Sequence, residues 1–86
     1  MTAEQLLLLA HEFCITHRTT VNNYAALVAG ASASTARIEG IAIHANAQEA
    51  ALALEECLRA FPALSGRNQE FAAFCAEVFL HVAQTR

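Results

Sequence analysis

Asn68-Gln69-Glu70-Phe71-Ala72-Ala73-Phe74-Cys75-Ala76-Glu77-Val78-Phe79-Leu80-His81-Val82 decides the fold class. Phe71, Phe74, Cys75, Val78, Phe79 and Val82 recur at i, i+3, i+4, i+7, i+8 and i+11, the spacing of one face of an α-helix. Ser65-Gly66-Arg67-Asn68 supplies the turn from which this helix rises. Immediately before it, Leu54, Cys57, Leu58 and Phe61 carry the apolar stripe of another helix. That helix opens on the capping-box-like Asn46-Ala47-Gln48-Glu49 and stops at Pro62, because the residue before proline is pushed out of helical space. Phe71, Phe74, Cys75 and Val78 are expected to pack against Leu54, Leu58 and Phe61.

At the other end of the chain, Thr2-Ala3-Glu4-Gln5 reads as a capping box that starts a helix reaching about His17. Leu6, Leu9, Ala10, Phe13 and Cys14 share one face, and Leu7 and Leu8 widen it. A face so wide needs either two packed helices or a second subunit, so a homodimer through the first or last helix is expected. Arg18-Thr19-Thr20 is a polar break in which either Thr can cap the next helix. The second helix runs over roughly 21–29 and ends at Gly30, a residue that takes the left-handed conformation without steric cost. A short third helix over 33–39 follows, capped by Ser32 or Ser34 and stopped by Gly40. Ile41-Ala42-Ile43-His44-Ala45 reads as an apolar connector lying on the core. The expectation is an all-α fold: one domain over 1–86, a compact bundle of about five helices with a helix-turn-helix-like second and third helix.

With 86 residues there is room for one core, and the 56% hydrophobic content is high for a soluble domain. Much of it is alanine, which suits closely packed helices. All five basic residues are Arg and all eight acidic ones are Glu, a usage that a GC-rich genome produces. The net charge of −3 disfavours nonspecific phosphate binding and favours a neutral or basic protein partner. Three cysteines without close spacing (Cys14, Cys57, Cys75) point to a reducing compartment. Leu6-Leu7-Leu8-Leu9-Ala10 is too short for a signal-peptide core, and no stretch reaches transmembrane length. A cytoplasmic protein is expected, with no membrane association.

Catalytic and metal chemistry find little support. His11, Cys14, His17, Cys75 and His81 are zinc-ligand types, but their spacing matches no compact zinc motif. All three cysteines fall on apolar helical faces, where a free thiol behaves as a small hydrophobe. Glu55 and Glu56 are adjacent, which points them about a hundred degrees apart on a helix. There is no Asp, no nucleophile elbow and no phosphate-binding glycine loop. No enzyme activity, metal or cofactor is expected.

One segment differs electrostatically from the rest. Between Glu12 and Glu39 there is no acidic residue, while His17, Arg18, Arg37 and a run of Thr, Asn and Ser occur. Within it, Ala25-Ala26-Leu27-Val28-Ala29-Gly30-Ala31-Ser32, followed by Ser34-Thr35 and Arg37-Ile38-Glu39, resembles a helix-turn-helix of the phage-repressor type. Ala26 matches the small residue packed inside that family's first helix, Gly30 its turn, and Ser32 the start of its recognition helix. Ala36 stands where the family buries a larger β-branched residue, and Glu39 where it places an apolar one. The resemblance implies that Ser34, Thr35 and Arg37 face a major groove while Arg18, Thr20 and Asn22 approach phosphates. The same six residues serve equally as a protein-recognition surface. The expected function is a non-enzymatic helical interaction protein, an inhibitor or adaptor of phage or mobile-element kind, that binds a protein partner. A DNA-binding regulator using the 18–37 segment is the alternative.

Overall fold

The computed structural model describes residues 1–35, 37–38, 41–42 and 46–84, with backbone alone for 37–38, 41–42 and 84. Four helices appear among them: α1 (Ala3–His17), α2 (Tyr24–Ser34), α3 (Ala47–Ala60) and α4 (Asn68–Gln84). Between α2 and α3, β1 (Arg37–Ile38) and β2 (Ile41–Ala42) pair antiparallel, with Arg37 opposite Ala42 and Ile38 opposite Ile41. Among the described residues the fold is all-helical apart from this short ladder and a single antiparallel bridge between Val21 and Leu64.

Helix ends follow local chemistry. The Gln5 amide donates to Thr2 Oγ1 at 3.1 Å and the Thr2 amide to Gln5 Oε1 at 2.8 Å, a complete capping box. Asn46 Oδ1 accepts from the Glu49 amide at 2.9 Å and caps α3. Phe61, held extended before Pro62, closes α3. Asn68 Oδ1 and Nδ2 pair with the amide and carbonyl of Leu64, both at 3.0 Å, and fix the turn into α4.

Two expectations for the middle of the chain are corrected. Gly30 does not end the second helix; α2 continues through it to Ser34. A Cβ on Gly30 would stand 3.0 Å from Leu58 Cδ2 and 3.3 Å from Leu54 Cδ1, so the glycine serves a close approach of α2 to α3. The helix expected over 33–39 is therefore absent in its described part: Ser34 ends α2, and Arg37–Ile38 are extended. Ile41-Ala42, expected in a connector, pair with β1. Positions 36, 39–40 and 43–45 of these readings lie outside the described residues.

The core gathers Leu6, Ala10 and Phe13 of α1, Leu27 of α2, Leu54 and Leu58 of α3, and Phe71 and Cys75 of α4. The most extensive pairing joins α3 to α4, where Ala72 and Ala76 are buried beside Phe71 and Cys75. The stripe on α4 is thus turned from its expected centre. Phe74, Val78 and Phe79 are only half-buried, and Phe61 is 58% exposed rather than packed inside. Small side chains let α4 sit close to α3, which rotates the large ones toward α1. The wide face of α1 meets both α2 and α4, so two helices cover most of it. Among the described residues no buried side-chain nitrogen or oxygen lacks a partner, and no helix is long and apolar enough to cross a membrane.

Candidate functional site

Of the six residues singled out from the sequence, Thr20 and Asn22 lie before α2 and Ser34 and Thr35 at its far end. Thr20 and Asn22 belong to a clasp between the α1–α2 connector and the loop before α4. The Ser65 amide donates to the Thr20 carbonyl at 2.8 Å, and the Asn22 amide to the Ala63 carbonyl at 2.9 Å. Thr20 Oγ1 and the Thr20 amide both donate to Ser65 Oγ, at 3.2 and 3.1 Å. Thr19 Oγ1 adds contacts to Ser65 Oγ at 2.8 Å and accepts from the Gly66 amide at 3.0 Å. These threonines tie two loops together rather than capping α2, whose N-cap, Asn23, makes no side-chain cap bond.

Ser34 and Thr35 lie at the far end of α2, about 16 Å of helix rise away. Ser34 is buried, and its hydroxyl donates to the Ala31 carbonyl at 2.8 Å; Thr35 Oγ1 donates to the same carbonyl at 3.0 Å. Both hydroxyls satisfy a carbonyl that the helix end leaves unpaired. Arg18 is exposed at the C-cap of α1, in the left-handed region at φ 56°. For Arg37 the backbone alone is described, in β1.

A better-formed surface runs along the seam of α1 and α4. The two helices are antiparallel: Leu8 and Leu9 share a groove with Val78 and Val82, while Glu12 and Thr16 share its continuation with Glu70, Ala73 and Glu77. Ring packing explains why the seam stays open. Phe13 lies against Phe71 and Phe74, with ring centroids 5.4 and 5.8 Å apart, and these three rings space the helices. The first half of the groove, about 340 Å³, is lined by Met1, Gln5, Leu8, Leu9, Val78, Phe79, Val82 and Ala83. The second half, about 560 Å³, is lined by Glu12, Phe13, Thr16, His17, Glu70, Ala73, Phe74 and Glu77.

The rim of this seam is exposed apolar surface. Leu8 on α1 is 66% exposed and Val82 on α4 is 45% exposed where they line the groove, and Ile15, two helical turns beyond Leu8, is 77% exposed but lines neither half. Glu12 sits between Leu8 and Ile15, at i+4 from the first, so the outer stripe of α1 alternates apolar and acidic groups. Glu70 pairs with Arg67 at 3.1 Å, whereas Glu12 and Glu77 make no ion pair among the described residues. His17 stacks on Phe13 with centroids 4.2 Å apart. Like Ile15, Tyr24, Val28, Leu52 and Phe61 are exposed without lining the groove.

The thiols are poor candidates for chemistry. Cys75 is fully buried and burial pushes its thiol up to about 12; burial also raises Cys14 and Cys57. Each is therefore a neutral thiol at ordinary pH, the weakly nucleophilic form. Among the described residues no group of His, Cys and Glu side chains is arranged to hold a metal ion. The sequence signal for the seam was the width of the Leu6–Leu9 face, which indicated surplus apolar surface without indicating its location. Comparisons of the chain with family models, curated proteins and solved structures find no match.

Proposed function

We infer that this chain is a non-enzymatic helical interaction module, an inhibitor or adaptor, that works by binding a protein partner along the α1/α4 seam. The observation that carries this reading is the groove with apolar walls at one end, where exposed Leu8 of α1 and Val82 of α4 line it together. Contiguous exposed apolar surface of this kind is costly in water and is the usual mark of an interaction site. The three neutral, unpaired thiols suit a reducing compartment and a binding role rather than nucleophilic catalysis.

Photo-crosslinking tests the assignment. Benzoylphenylalanine at position 8 or 82 should capture one and the same protein adduct in cells expressing the chain. The same probe at Leu52, exposed on α3 outside the groove, should not capture it. Equal capture from all three positions overturns the seam as the working surface. Binding to duplex DNA that falls steeply with salt and is lost in Arg18→Ala would overturn the protein-partner reading in favour of a DNA-binding regulator.

A further inference from the structure

Resting on that docking reading, we propose that the partner presents a cationic amphipathic helix, which lies lengthwise in the α1/α4 seam with its basic residues beside Glu12 and Glu77. The shape of the seam selects a helix. The 15 residues of α1 give a trough about 22 Å long, the span of a helix of similar length. Both walls are helices whose backbone groups are paired internally, so the seam has no strand edge to extend. What it offers is a row of side-chain sockets, the feature that an i, i+3, i+4, i+7 apolar face fills.

Charge selects the sign. Glu12 and Glu77 line the same half of the groove from opposite helices, and neither makes an ion pair among the described residues. Glu70 adds a third carboxylate there, shared with Arg67. Two unpaired carboxylates flanking one trough repel each other, and a Lys or Arg laid between them removes that repulsion while gaining attraction to both. A second copy of this chain fits poorly. A two-fold contact centred on the acidic half brings the carboxylates toward their own images, one centred between the halves sets them against apolar walls, and neither supplies a cation on a chain of net charge −3.

Peptide binding to the full chain tests this. Two fluorescein-labelled helical peptides of about 16 residues carry the same Leu face; one has Lys along its flank, the other Glu at the same positions. The Lys peptide should bind at least about tenfold more tightly at low salt, and the advantage should shrink as salt rises. Glu12→Gln with Glu77→Gln, both exposed positions, should keep the helical circular dichroism and reduce the preference to less than about threefold. Equal binding of both peptides to the unaltered chain leaves the docking groove standing and overturns the charge selection. Failure of both peptides to bind, with the Leu8→Gln variant behaving identically, overturns the seam reading itself. A concentration-dependent dimer that Leu8→Gln dissociates would make a second copy the occupant and overturn the proposal.

Discussion

At the scale of single residues, the same side-chain type does different work in different surroundings, and composition does not separate these cases. Among the cysteines, Cys75 is buried while Cys14 and Cys57 are partly buried. Their apolar spacing predicts hydrophobic packing, and Cys75 lies in the core with its thiol pushed up to about 12 by burial. The threonines and serines show the range of such work. Thr20 and Ser34 read as recognition residues, yet one helps fasten two loops and the other is buried on a helix carbonyl. A hydroxyl is short enough to satisfy local backbone as readily as a ligand, and only the tertiary contact decides which. The raised Cys75 thiol has a consequence for alkaline stability. Below the ionisation range of a free thiol, folded and unfolded chains both keep the proton and stability is complete. Above it only the unfolded chain loses its proton, so stability falls by up to about 1.4 kcal/mol per pH unit from roughly pH 9 toward 12. Cys14 and Cys57, also raised by burial, act in the same direction. Urea melts at stepped pH should show this decline, with a shallower alkaline slope in Cys75→Ala. An unchanged slope would mean that the thiol is open to solvent.

At the scale of elements, the helices with strong end signals were legible from their residues. The capping box at Thr2, the Asn46 cap and the Pro62 stop each involve a local interaction complete within four or five residues, and each appears as expected. Gly30 shows why the middle was not. Glycine ends a helix by taking a left-handed conformation, and it also lets two helices touch; the local sequence is the same in both cases. Its role here is set by Leu54 and Leu58, more than twenty residues away. The face of α4 was legible in period and displaced in direction, because Ala72 and Ala76 draw it toward α3 and leave Phe74 and Val78 toward α1. The structure predicts the cost of filling the α2–α3 contact. Gly30→Val places a branched side chain where even a Cβ meets Leu58 Cδ2 at 3.0 Å, and should destabilise by about 1–3 kcal/mol through overpacking. Chemical denaturation would measure it. If Gly30 instead ended a helix on the surface, the valine would still cost, but Leu58→Ala in the same background would rescue nothing; here the truncation should recover part of the loss.

At the scale of the whole molecule, the chain spreads its resources unevenly. With a radius of gyration of 12.3 Å it is about as compact as domains of its length ordinarily are, yet one seam is left unclosed. Along it the rings of Phe13, Phe71 and Phe74 pack between α1 and α4. These rings fill the core while the groove stays open, and the exposed Leu8 and Ile15 add no packing to the folded monomer. Stability and binding should therefore separate. Leu8→Gln with Ile15→Gln replaces two largely exposed side chains, so the unfolding free energy should change by less than about 1 kcal/mol, or a few degrees in Tm. The Leu8 substitution removes an exposed apolar side chain that lines the seam, and the pair should weaken partner or Lys-peptide binding at least about tenfold, the usual cost of losing an apolar anchor. Calorimetry and fluorescence anisotropy on one preparation read both quantities. A large fall in Tm would mean that these leucine and isoleucine side chains close the monomer. Unchanged binding at an unchanged Tm would move the working surface off the seam, leaving the exposed Tyr24–Val28 face of α2 as the next place to look.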